Sequence, residues 1–171
     1  MPIRSSCWPM RVPRIKRRAF HAILAAFILA GCATGRAVQT GTESGGAVYR
    51  DFRWPVSGTL ASGFGGRGGR HHNGIDILAP EGTPVLAAES GIVSYAGKGL
   101  RGFGNATVLD HGGGTKSLYG HLKEIHVKSG DAVEAGSVIG TVGRTGNATA
   151  YHLHFELIVD GWPVDPVEYL P

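Results

Sequence analysis

Cysteine is nearly absent from this 171-residue chain. Cys7 and Cys32 are the only two, and both precede the region where a core can form, so a disulfide framework is excluded there. Aromatic residues make up 8% and never interleave with a stripe of Lys and Arg, which removes the usual footprint of a nucleic-acid surface. Acidic residues are missing before Cys32, whereas six of the 17 Lys and Arg residues lie there. The pI of about 9.3 therefore belongs to the leading segment. From Cys32 onward 11 basic residues face 13 acidic ones, a formal charge of −2. No apolar run approaches the roughly 20 residues that span a bilayer as a helix. No segment keeps a helical period over three turns, which excludes a helical bundle.

What is present begins with a sorting signal. A basic stretch ends at Arg17-Arg18, and an apolar run follows from Ala19 to Ala30. Its length suits the apolar region of a secretory signal. Translation can start at Met1 or at Met10. The run closes on Leu29-Ala30-Gly31-Cys32, which resembles the lipobox of bacterial lipoproteins, where the cysteine thiol takes the lipid. Ala33 beside it resembles lipoproteins sorted to the outer membrane, facing the periplasm. Residues 1–31 are thus expected to be a signal peptide. Residues 32–50 are read as a lipidated Cys32 and a flexible tether of small polar residues. Residues 51–171 form the domain, long enough for one core.

Within that domain short apolar runs are cut by glycine every 8–12 residues or so, the rhythm of an all-β sandwich or barrel. The expected strands include PVLAA, GIVSYAG, NATVLDH, TKSLYGHL, SVIGTVG and HLHFELIV. A faint echo links GTPVLAAESGIVSYAG with GDAVEAGSVIGTVGRTG. It looks like the duplicated half-barrel of antiparallel barrel-sandwich hybrid folds. Lipoyl and biotinyl carriers share that architecture, but no lysine here is flanked as at a carrier hairpin tip.

Three clusters carry chemistry. In His71-His72-Asn73-Gly74-Ile75-Asp76 an imidazole and a carboxylate make good zinc ligands together. In an extended segment an even separation puts His72 and Asp76 on one face and leaves His71 out. In His152-Leu153-His154-Phe155-Glu156 the two histidines and the glutamate share one strand face. Tyr119-Gly120-His121 closes another strand. Each has a plain structural reading when taken alone: a His–Asp hydrogen bond in a loop, a half-exposed polar face, a lone structural histidine.

Taken in order, HHNGIDI, YGHL and YHLHFE resemble the lysostaphin-type (LytM-like) zinc metalloendopeptidases, which cut peptide bridges in peptidoglycan. The resemblance runs from Trp54 to the C terminus and includes APEGTPVLAAESGIVSYAG, GRTGNATAYHLHFEL and VDPVEYL. It implies Zn2+ held by His72, Asp76 and His154, with His121 and His152 as the catalytic histidines. If such a site is preformed, the three donor atoms should lie roughly 3–3.5 Å apart, given zinc bonds of about 2.0–2.2 Å. Glu156 is placed to orient a ligand, or else is a plain surface glutamate.

Other motifs fall away. Gly63–Gly68 matches GxGxxG, but no helix pattern follows, so it reads as a flexible rim beside His72. The Asn-X-Thr patterns at Asn105 and Asn147 mean little on a bacterial lipoprotein. His111 and His126 fall in loops and receive no role. Residues 96–105 (AGKGLRGFGN) resemble the NlpD-like murein-hydrolase activators, lipoproteins of this same fold that switch on separate amidases. Those activators have typically lost metal ligands and usually carry an added LysM module, for which residues 33–50 are too short. The expected function is a zinc endopeptidase acting on peptidoglycan cross-links, with amidase activation as the alternative. A diderm envelope makes the expected substrate the direct bond between D-alanine and a diaminopimelate-type residue.

Overall fold

Alternation of small, β-branched and aromatic residues between glycine turns produces strands throughout residues 52–171, the part described by the computed structural model. The expected signal segment, the lipidated Cys32 and the tether lie outside the described residues. The strands are β1 (Thr59–Ser62), β2 (Gly65–Arg67), β3 (Arg70–His72), β4 (Ile75–Leu78), β5 (Pro84–Leu86) and β6 (Gly91–Gly97). They continue with β7 (Asn105–Asp110), β8 (Thr115–Ile125), β9 (Ala132–Val133), β10 (Val138–Val142), β11 (His152–Val159) and β12 (Trp162–Val164). Among the described residues the helical content is one 3-10 turn, Pro166–Glu168, capped by the Asp165 carboxylate. No described helix is long and apolar enough to cross a membrane.

All pairings are antiparallel, in the order β1-β4-β11-β8-β7-β6-β9, with β10 joining β8 to β5 and β12 flanking β11. The six strands expected from the sequence form, with ends moved by up to three residues. The short pieces β1, β2, β3, β9 and β12 carry too few residues to show a period of two.

The echo in the sequence has a structural meaning. β5 and β6 come from its first copy, and β9 and β10 from its second. The copies pair crosswise, β5 with β10 and β6 with β9. The connections interlock in the same way: Ala87 N–H donates to the Ser137 carbonyl, Gly136 N–H to Ala87, Val93 N–H to Asp131 and Gly130 N–H to Val93. Each copy thus closes the hydrogen-bonding edge of the other, which suppresses exposed edges.

The core is filled by Ile75, Ile77, Leu109, Tyr119, Leu122, Leu153, Phe155 and Leu157 with their neighbours. The Tyr119 hydroxyl is buried, accepts from Ala88 N–H and shares a hydrogen bond with Ser117 Oγ. Burial pushes this phenol up to about 12. His111, expected to be idle in a loop, is buried and joins the same chain. Its Nδ1 donates to the Ser90 carbonyl and its Nε2 meets Ser117 Oγ at 2.7 Å. This network fixes β8 two residues before His121.

One glycine sets the entry to the site. A Cβ on Gly74 would sit 2.2 Å from the Phe155 carbonyl oxygen and 2.9 Å from Glu156 Cγ. The β3–β4 connection can touch the β11 backbone only because that atom is missing. Gly74→Ala is expected to cost about 2–3 kcal/mol, since backbone must move. A chemical-denaturation curve would measure it, and an unchanged midpoint would contradict the contact.

Candidate metal centre

β11 is the floor of the site. β4 pairs on one side of it, with Asp76 opposite His154, and β8 on the other, with Gly120 opposite His154. Adjacent strands therefore carry Asp76, His154 and the Gly120-His121 step side by side. A Cβ at Gly120 would meet Phe103 Cδ1 at 3.0 Å and His154 Cβ at 3.6 Å, so glycine there leaves room for both rings. The β2–β3 hairpin, a separate two-stranded sheet, delivers His72. The GxGxxG stretch is this paired hairpin, with Gly68 and Gly69 in the left-handed region at its turn. It is not a phosphate loop, since a strand and not a helix follows it.

Four histidines and one aspartate converge. His72 Nε2 lies 3.2 Å from Asp76 Oδ1 and 3.2 Å from His154 Nδ1, and His154 Nδ1 lies 2.8 Å from Asp76 Oδ1. His152 Nε2 is 3.7 Å from the same aspartate oxygen. The His121 and His152 rings are 4.7 Å apart at their centroids. His71 points elsewhere and packs edge-on against Phe64. Parity along one extended strand does not apply, because the segment breaks at Asn73-Gly74 between β3 and β4. His72 reaches Asp76 across that turn rather than along a strand.

The second nitrogen of every ring is occupied. His72 Nδ1 donates to the Gly63 carbonyl at 2.7 Å, His121 Nδ1 to the Thr145 carbonyl at 2.8 Å and His152 Nδ1 to the Ala150 carbonyl at 2.9 Å. His154 Nε2 donates to Glu156 Oε1 at 3.1 Å. Because carbonyls only accept, each backbone bond puts the proton of a neutral ring on the bonded nitrogen and leaves the opposite nitrogen unprotonated. Metal-binding histidines are held in just this manner. Glu156 is therefore no surface glutamate; it is buried against His154.

The donor set fits zinc. Two imidazoles and one carboxylate suit a catalytic zinc with an open fourth position. The triangle of donor atoms is small enough that a single point lies at bonding distance from all three. His72, Asp76 and His154 are the described residues that can hold the ion.

Electrostatics divide the histidines. Burial holds the His121 imidazole below the ordinary histidine range, and the neighbouring His152 and His154 rings act in the same direction. His154 is also buried, which alone would lower it, but Asp76 and Glu156 together raise it. Burial thus favours the neutral form of His121, while His154 is anchored by two carboxylates.

The backbone at His121 is unusual. Its φ is 63°, in the left-handed region. Between β7 and β8 the step from Asn105 to Thr107 opposes the longer step from Leu122 to Tyr119, so β8 carries a bulge at residues 120–121. A bulge re-aims a side chain. His121 N–H donates to the Phe103 carbonyl at 2.7 Å, holding the strained residue. Asn105 is buried, its Nδ2 donating to the Lys123 carbonyl and its N–H to Thr145 Oγ1. Thr145 Oγ1 in turn donates to the Leu122 carbonyl. Phe103, Thr145, Asn105 and the Gly63 carbonyl were invisible as site residues in the sequence, because each acts through a contact distant along the chain.

Comparison with known proteins gives the family. The model of "Peptidase family M23" matches residues 70–166. The "Lipoprotein NlpD/LppB homolog" of Pseudomonas aeruginosa is 43% identical over 126 residues, covering 74% of this chain and 42% of that protein. The "DD-carboxypeptidase/endopeptidase Mpg" of Neisseria meningitidis serogroup B is 46% identical over 98 residues, covering 57% and 22%. A crystal structure of a zinc containing peptidase from Vibrio cholerae superposes with a TM-score of 0.62 at 38% identity, covering 68% of this chain and 39% of that one. The chain thus spans less than half the length of these relatives. By the family match and by its antiparallel all-β fold, it belongs to peptidase family M23.

Proposed function

We propose that this protein is a zinc metalloendopeptidase that hydrolyses peptide cross-links of peptidoglycan. In this reading it is held at the outer membrane, facing the periplasm, by lipid on Cys32. The observation that carries the reading is the complete donor triangle of His72, Asp76 and His154 with two further histidines beside it. Bound zinc supplies a Lewis acid and brings the pKa of water towards about 7. The rest falls to side chains. His121, neutral and with Nε2 bare, takes the proton of the attacking water. His152, tied at Nδ1 to Ala150, presents Nε2 to the developing oxyanion or to the leaving nitrogen. Glu156 keeps His154 in register. Phe103 packs 5.3 Å from the His154 ring and limits water there.

A second reading is activation of a partner amidase, favoured by the 43% identity to the NlpD/LppB homolog. One experiment separates the two. The full chain, in mild detergent with zinc, is incubated with purified sacculi, and the soluble fragments are analysed by chromatography and mass spectrometry. Conversion of cross-linked dimers to monomers that stops with chelator supports the peptidase. Intact cross-links together with stimulation of an added amidase would replace it by the activator.

A further inference from the structure

Beside His152 lies a charged rim that the mechanism above does not use. Gly143 bridges to His152, whose N–H donates to the Gly143 carbonyl at 3.3 Å. The next residues outward, Arg144 and Tyr151, meet: the guanidinium lies over the phenol ring, 5.3 Å from its centroid. The Tyr151 hydroxyl hydrogen-bonds Glu81, which also takes Lys123 Nζ at 3.1 Å. The hydrogen bond from Lys123, and then that from Tyr151, hold the Glu81 carboxyl below the usual carboxylate range. Glu81 is thus held chiefly by Lys123 and Tyr151, with the Arg144 charge acting on it more weakly. Among the described residues Arg144 forms no ion pair. A guanidinium held over a ring has less freedom to lose, and its N–H donors suit a planar anion. Their fork matches a carboxylate in bidentate geometry.

The chemistry of the substrate supplies such a group. When a cross-link amide is built on the side-chain amino group of a diaminopimelate-type residue, the carbon bearing the scissile nitrogen also bears a carboxylate. With the scissile carbonyl at the donor triangle and the nitrogen towards His152, that carboxylate would fall where Gly143 leads from His152 to Arg144. We propose that Arg144, held against Tyr151, binds the substrate carboxylate adjacent to the scissile nitrogen and so selects the acid form of the cross-link over its amide. The proposal rests on the peptidase reading.

Two cross-linked peptide dimers test it, one with that carboxylate free and one with it amidated. The zinc-loaded full chain is expected to prefer the acid form by about ten-fold in kcat/KM, the scale of one charge-assisted pair. Arg144→Gln should bring the two forms to parity, and Arg144→Lys, a charge without the fork, should fall between. A folding defect lowers both rates and does not move their ratio. A preference that survives in Arg144→Gln, or one absent from the unmodified chain, overturns the proposal. Should the chain cut neither dimer, the peptidase reading fails, and the same ratio is taken from dissociation constants. Loss of acid preference in Arg144→Gln then still supports the carboxylate site, and equal constants sink it. If Arg144→Gln instead abolishes stimulation of an amidase while peptide preference persists, Arg144 faces a protein partner and the proposal is wrong.

Discussion

Replacing His152 by alanine should slow cleavage of cross-linked peptide by about 10²–10⁴-fold, the usual range for removing a positioned acid or base. His121→Ala should lose a similar factor. The two rings sit 4.7 Å apart and are anchored separately, to Thr145 and to Ala150. Neither anchor depends on the other ring, so each single variant should leave its partner in place. Groups that serve one transition state are strongly non-additive. The double variant is therefore expected to be little worse than the poorer single one. Losses that multiply in the double variant would mean independent roles, and a His152→Ala protein at full rate would remove His152 from the mechanism.

His121 adds a stability readout. Its φ of 63° suits glycine better than any β-carbon-bearing residue. Both His121→Gly and His121→Ala delete the imidazole and its bond to Thr145. The glycine variant should nevertheless be more stable than the alanine one by about 1 kcal/mol, the cost of left-handed backbone for an ordinary residue. Inactivity combined with that order of stability would show strain held at the bulge in order to aim a histidine. Equal stability would mean that the backbone relaxes once the ring is gone.

The bulge also shows where the sequence stops being legible. The strand with a period of two was readable at His152–Glu156, because five alternating residues suffice to sort polar from apolar. Leu153 and Phe155 do enter the core. Of the two readings of Glu156 the surface one fails: the side chain is buried, because the β3–β4 turn at Gly74 covers it. Two grounds select His72 over His71, the resemblance and the parity of one continuous strand. The structure breaks that strand and still brings His72 to Asp76, since the β2–β3 hairpin supplies the direction. The crossed pairing of the two repeat copies could not be read, because an echo does not say which strand answers which. The tautomers were likewise out of reach. They depend on the carbonyls of Gly63, Thr145 and Ala150, and no side-chain pattern marks a carbonyl.

Those tautomers bear on the metal. The chain stripped with chelator and then titrated with zinc should gain about 2.7 kcal/mol of stability when free zinc reaches 100 times its Kd. For a domain of this size that corresponds to roughly 10 °C in the melting midpoint. No catalysis enters this measurement, so it tests the ligand set alone. Asp76→Ala and His154→Ala should each abolish the gain, because two donors do not hold zinc at these concentrations. His71→Ala should leave it intact, since that ring faces Phe64. Glu156→Gln is the most informative variant. The amide can still accept from His154 Nε2–H, but it lacks the charge that makes the ring a stronger donor to metal. Its zinc affinity should fall about 10–100-fold, while the unliganded fold stays close to that of the parent. A Glu156→Gln protein that binds zinc as tightly as the parent would make the buried carboxylate a packing element. A zinc-induced shift that survives Asp76→Ala would place the ion somewhere other than between His72, Asp76 and His154.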